Sequence, residues 1–293
     1  MTAPDFSLAC TEAVTVSHLL DDPAAARAGA WLSAEALRHG EVSDWKDDAI
    51  TRIHLGNEFC ERLLPEPETL AACLAHPRFA LSLTLPILSD QGMKRVLPLL
   101  DALPSGHEVI VNEWGALRLL RRSYPNLKPI AGRLLCKQIK DPRLPSPEWA
   151  SLYPSGIYSE PFAAFLMDYG ISRMEVDIPP HVHAASLNNG SIQLSAHLGY
   201  GYVMKGRMCK IGSLNLPSAV RFQPGHGCGR ECLDYVEHTA RPTGADLRSF
   251  QRGNTRFYVH DQTMWDTVYA AAHAGWVDRL IIHGDWHEDR RPH

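Results

Sequence analysis

The chain has 293 residues, a length that suits one large domain, and 45% are hydrophobic, enough for a sizeable buried core. A formal net charge of −4 and a pI near 6.4 exclude general affinity for polyanions, so a nucleic-acid partner would need a local basic patch. Low charge with high apolar content excludes extensive disorder.

Residues 1–50 read as an N-terminal helical extension, alanine-rich from Ala24 to Ala36 and then polar and acidic over 41–48. From residue 51 short β-branched runs alternate with amphipathic ones. The predicted order is strand 52–55, helix 66–75, strand 79–85, helix 91–102, strand 108–111, helix 113–123 and strand 128–132. It continues with helix 161–169, strands 173–178, 192–197 and 256–260, helix 263–274 and strand 279–283. Gly170 and Gly275 stand where two of these helices should end. Eight strands alternating with helices indicate an α/β chain whose residues 51–293 close into a (β/α)₈ TIM-type barrel. No glycine-rich nucleotide fingerprint follows the first strand, which counts against an open doubly wound sheet.

Two segments interrupt the alternation. Residues 141–161 carry Pro142, Pro145, Pro147, Pro154 and Pro161, and should overhang the barrel face where active sites lie. Residues 199–242 are rich in Gly and Pro and contain three cysteines; so long an insertion needs a job or an organising ligand.

Seven cysteines exclude a complete disulfide framework and favour thiols or metal ligands in a reducing compartment. No basic start followed by an apolar core opens the chain, and the apolar run 79–88 is half a membrane span broken by Pro86. The expectation is a cytoplasmic protein without a transmembrane segment. Cys10 and Cys73 read as small core residues. Cys228 and Cys232 flank Gly-Arg-Glu, and Cys209 lies upstream in the same insertion, so these three can converge on one metal. Zinc would take a fourth Cys or a His such as His226, and an iron–sulfur cubane four thiolates. Cys60 and Cys136, each following a predicted strand, are the candidates for the fourth place.

The segment Ile53-His-Leu-Gly-Asn-Glu-Phe-Cys60 and the segments Lys205-Gly-Arg-Met-Cys209 and Gly227-Cys-Gly-Arg-Glu-Cys-Leu-Asp-Tyr235 carry a resemblance. They resemble the collagenase-like "peptidase family U thirty-two", and within it the iron–sulfur proteins of anaerobic ubiquinone biosynthesis. The resemblance implies a 4Fe–4S cluster on Cys60, Cys209, Cys228 and Cys232, leaving Cys136 as the alternative ligand. It further implies oxygen-independent hydroxylation of a ubiquinone precursor or of RNA bases, with a homologous iron–sulfur subunit as partner. The sequence departs from the family at its N-terminal extension, at Gly56-Asn57 and over 132–143, which marks a divergent branch.

Residues at barrel strand ends face the active site. They are Asn112, Glu113, Arg133, Asp177, His197 and His260, candidates for binding substrate, although a strand-end Asn or Asp can equally cap the next helix. His283, His287 and His293 read as solvent-facing. Arg133, Lys137, Lys140 and Arg143 form a basic run that is a solvated face or an anion site. No Ser-His-Asp elbow or His-Glu-x-x-His helix is present, so protease chemistry has no candidate residues. The charge balance favours a small-molecule or lipid-like substrate over RNA. A non-catalytic partner or electron-relay subunit, and a zinc-stabilised metabolite-binding barrel, are the alternative functions.

Overall fold

In the barrel strands apolar and polar residues alternate, and a computed structural model shows where the two faces point. It describes residues 4–38, 41–138, 148, 156–188, 190–221, 223, 225–238 and 247–285. In chain order the strands are β1 (Asp5–Cys10), β2 (Ile50–Gly56), β3 (Ala80–Leu85), β4 (Glu108–Val111), β5 (Lys128–Ala131) and β6 (Arg173–Val176). They continue with β7 (Gln193–His197), β8 (Tyr200–Lys205), β9 (Glu237–His238), β10 (Ser249–Arg252), β11 (Thr255–Val259) and β12 (Arg279–His283). The helices are α1 (Ala13–Asp21), α2 (Pro67–Ala75), α3 (Asp90–Asp101), α4 (Trp114–Ser123), α5 (Glu160–Asp168), the short α6 (Ser218–Arg221) and α7 (Gln262–His273). Gly170 and Gly275, past the ends of α5 and α7, both take φ +75°, as their positions predict.

Eight all-parallel strands close into a barrel in the order β1-β12-β7-β6-β5-β4-β3-β2, the TIM-type architecture that the alternation predicts. Two strand assignments exchange places, however. Residues 5–10, expected within a helical extension, form β1, hydrogen-bonded between β2 and β12 with Asp5 opposite Arg279. A boundary at residue 50 therefore cuts through the barrel. Residues 256–260, expected as a barrel strand, fall mostly in β11, in a separate antiparallel sheet of order β8-β11-β10-β9. The reason is the same for both: a strand of five or six residues is set by the partner it finds, which local pattern does not specify.

The apolar face of each barrel strand points outward. Phe6, Leu8, Ile53, Leu83, Val109 and Leu280 pack with Leu117, Leu166 and Val268 of the helices in the main core. The polar face points to the barrel axis. At its lower end Glu108 accepts hydrogen bonds from Arg279 (2.8 Å) and Ser82 (2.7 Å) and pairs with Arg52 (3.2 Å), while Arg279 also reaches Asp5 (3.1 Å). Burial acts to raise the Glu108 carboxyl, but the hydrogen bonds and charges of Arg279 and Arg52 outweigh it and hold the group at about 2.

The four-stranded sheet roofs the opposite end. The Tyr202 hydroxyl donates to Arg133 O (3.2 Å) and the Tyr258 hydroxyl to Ile178 O (2.7 Å). Phe59, Leu134, Tyr200, Tyr202, Phe250 and Phe257 fill the gap between roof and barrel as a second core.

Candidate functional site

Cys60 lies just beyond β2. Gly56, at φ +118°, turns the chain there; a Cβ would sit 2.5 Å from Thr84 O, so only glycine fits. Asn57 Oδ1 then accepts the amides of both Phe59 (2.9 Å) and Cys60 (2.9 Å), which fixes the thiol's position. Cys209 follows β8, and its sulfur accepts the Gly212 amide at 3.2 Å. Between Cys228 and Cys232 the chain reverses through Arg230, a left-handed residue at φ +64°. Arg62 donates to the carbonyls of Gly225 (3.3 Å) and His226 (2.9 Å), fastening the Cys228 loop to the Cys60 turn.

These four cysteines line one cavity of about 420 Å³, with Phe59, Arg62, Lys205, Arg207 and His226 among its other walls. Burial raises the thiols of Cys60, Cys209 and Cys232, the last to about 12, and each is raised further by other cysteines of the set. Lys205 and Arg62 act in the opposite sense on Cys60, and Arg252 on Cys232. Burial thus favours the protonated thiols at Cys60, Cys209 and Cys232, whose protons a metal centre would displace. Lys205, Arg62 and Arg252 then stand as counter-charges to the thiolates.

Two kinds of centre would use such thiolates differently. A tetrahedral zinc with Zn–S of about 2.3 Å draws its thiolates to roughly 3.8 Å from one another. Among the described residues, the group of three or more metal-binding side chains with ligand atoms all within 4.8 Å is Glu58, Glu175 and His197, and no cysteine trio meets that limit. Four thiolates around one cavity can serve either a tetrahedral ion or a polynuclear cluster, whose irons sit at separate corners. Cys136 does not line this cavity; it is buried in the main core with its sulfur 3.9 Å from Ala131 O. Cys10 and Cys73 are also buried core residues.

A second polar constellation fills the barrel below the roof. Arg133, fully buried, meets both oxygens of Glu58 (2.8 and 2.7 Å), Asp177 (2.6 Å) and Tyr200 O (3.2 Å). Both carboxylates hold it, so the anion-binding role open to the basic run is not available at Arg133. His197 Nε2 lies 3.1 Å from Glu175 and 3.4 Å from Glu58, and His197 Nδ1 lies 3.3 Å from His283 Nε2. His283, expected in solvent, is buried with its ring stacked on His197 at 5.2 Å. Burial lifts the Glu175 carboxyl to about 8, while burial lowers His54 to about 3 and His260 to about 4.

The remaining strand-end candidates separate from this group. Asn112 donates to Leu85 O (3.0 Å) and accepts from Leu134 N (3.1 Å), a structural clamp between strand ends. Glu113 accepts the Leu88 amide (3.1 Å) at the edge of an open groove with Trp114 and Phe165. His260 is buried against Trp265, its ring nitrogens without hydrogen-bond partners. Lys140, Arg143, His287, His293 and most of the proline-rich loop lie outside the described residues. Glu58, Glu175, His54 and Lys205 carry the two sites yet escape a search confined to strand ends. The period-2 run Arg173-Met-Glu175-Val-Asp177 does place Glu175 on the same face as Asp177.

No helix of the described residues is long and apolar enough to cross a membrane. No protein-family model, curated protein or solved structure matches the chain.

Proposed function

We propose that the chain is an iron–sulfur protein of the cytoplasm, holding a 4Fe–4S cluster on Cys60, Cys209, Cys228 and Cys232, that takes part in oxygen-independent hydroxylation. The observation that carries this is the convergence of four cysteines, from three separate segments, on one cavity with cationic walls. The resemblance of the same segments to family U thirty-two supports the reaction class and a homologous partner subunit. A bound cluster would supply electron transfer or Lewis-acid activation. Around it the chain's own residues have defined work. Gly212 N–H steadies Cys209, and Arg62, Lys205 and Arg252 offset negative charge. Phe59 closes one wall of the cavity. The same cations suit a small anionic co-substrate more than RNA, which the chain's net charge of −4 repels.

A second reading is a partner subunit whose cluster is structural or relays electrons. The small space at the barrel centre, about 20 Å³, supports it, because an aromatic substrate does not fit there.

Anaerobic purification with iron, sulfide and zinc analysis tests the cluster. About four irons per chain, lost in Cys228→Ala, is the expected result. One zinc, or no metal under strict anaerobiosis, overturns it. Hydroxylation by the chain alone, compared with the chain plus a homologue, then separates enzyme from partner subunit.

A further inference from the structure

The polar constellation inside the barrel has a geometry that internal ion pairing alone does not explain. Glu58, Glu175 and His197 are each at most 8% exposed, and one ligand atom from each lies within 4.8 Å of the others. They come from the β2 turn, β6 and β7, and they line a common cavity with His54, Thr84 and His283. At about 20 Å³ that space admits one water or one ion and little else. One polar atom in its walls is orphaned: His54 Nε2, on a residue 2% exposed, has no hydrogen-bond partner, while His54 Nδ1 lies 3.3 Å from Glu175 Oε1. A buried orphan of this kind is satisfied by a water or by an ion.

We propose that Glu58, Glu175 and His197 form a mononuclear site for a divalent first-row transition ion, of the Mn(II) or Fe(II) type, separate from the cysteine cavity.

The donor set selects that class of ion. Carboxylates favour Mg(II), Ca(II) and Mn(II), whereas imidazole favours Fe(II) and its heavier neighbours, so two carboxylates with one imidazole meet at Mn(II) and Fe(II). The surroundings fit as well. His197 reaches the carboxylates with Nε2, leaving Nδ1–H to donate to His283 Nε2 at 3.3 Å, the outer contact that orients a ligating histidine. Arg133 occupies one lone pair on each Glu58 oxygen, and a carboxylate has further lone pairs to give.

Charge closes the argument. Without an ion, Glu58 and Asp177 carry two negative charges against the one positive charge of Arg133. Glu175, 1% exposed, adds a third carboxyl to the same enclosed space. A divalent ion brings two positive charges, which with the Arg133 guanidinium balance the three carboxylates of Glu58, Asp177 and Glu175. The buried group is then neutral, the condition under which charges are tolerated in a low-dielectric interior.

The test uses the full chain, stripped with chelator and titrated with Mn(II) alone. The free-ion EPR signal and the thermal midpoint are both followed, because carboxylates hold Mn(II) and thiolates compete weakly for it. The expected result is one Mn(II) per chain, with a rise in midpoint, in the wild type and equally in Cys228→Ala. Affinity should fall at least tenfold in Glu175→Gln and in His197→Ala. Glu175→Gln keeps the shape of the side chain, and its fold can be checked independently by circular dichroism. Absence of binding by the folded wild type, or binding that Glu175→Gln leaves unchanged, overturns the proposal. The iron–sulfur reading is untouched by either result, since Cys228→Ala and the iron analysis report on it separately.

Discussion

Glu58 and Cys60 stand two positions apart on one turn and face two different cavities, Glu58 the barrel centre and Cys60 the cysteine chamber. Asn57 Oδ1 holds that turn by accepting the Phe59 and Cys60 amides. Asn57→Ala should therefore lower the iron bound per chain, and Asn57→Asp, which keeps the acceptor oxygen, should restore it. Iron and sulfide analysis of anaerobically purified variants measures both. Equal loading in all three proteins would show that the turn is held by other means.

Gly212 supplies an amide to Cys209 and also makes room for the set. A Cβ there would lie 3.0 Å from Cys228 Cβ and 3.2 Å from the Cys209 sulfur. Gly212→Ala should therefore reduce cluster absorbance per chain by more than half. Gly227, adjacent to Cys228 in sequence, has nothing within 4 Å of such a Cβ. Gly227→Ala should accordingly load normally, and the pair of variants separates crowding of the sulfurs from general loop stiffening.

Removing Arg133 leaves Glu58 and Asp177 buried without their cation. Arg133→Met should cost about 3–5 kcal/mol, read as a lower urea midpoint at unchanged slope. Arg133→Lys should recover only part of this, because an ammonium cannot span Glu58 through both oxygens and reach Asp177 as well. Full stability in the Lys variant would contradict the bidentate geometry.

At the lower end of the barrel Glu108 is held at about 2, below its ordinary value of 4.5. A carboxyl lowered by folding stabilises the native state fully above its unfolded pKa and loses that contribution as pH falls. Roughly 3 kcal/mol should thus disappear between about pH 4.5 and pH 2. Urea midpoints taken across that range should drop steeply in the wild type and less in Glu108→Gln. Parallel pH curves would assign acid sensitivity to other groups.

Much of this was legible in the residue order, and the failures have physical causes. Period-2 alternation in Arg52–Gly56 and Arg173–Asp177, and the apolar run within Arg279–His283, identify strands, but they do not say whether the polar residues meet solvent or the barrel axis. That is why His283 reads as exposed and Glu175 passes unnoticed. Asp5–Cys10 alternates in the same way, yet the alanine-rich residues after it draw the whole stretch into a helical reading. The cysteines are easier. Their glycine-rich spacing marks Cys209, Cys228 and Cys232, whereas Cys60 is distinguished from Cys136 by family resemblance and then by the cavity it lines. The inner ion site is invisible to spacing, because its three ligands lie on separate segments that only barrel closure brings together.

The placement of β1 between β2 and β12 has a further consequence for how the molecule is made. Arg279 bonds to Asp5 across 274 positions of sequence. Until residues 279–283 have left the ribosome, β1 has one neighbour and the ring is a curved open sheet with two bare rims. Such rims invite pairing with other chains. That exposure lasts for the interval between the synthesis of β1 and that of β12.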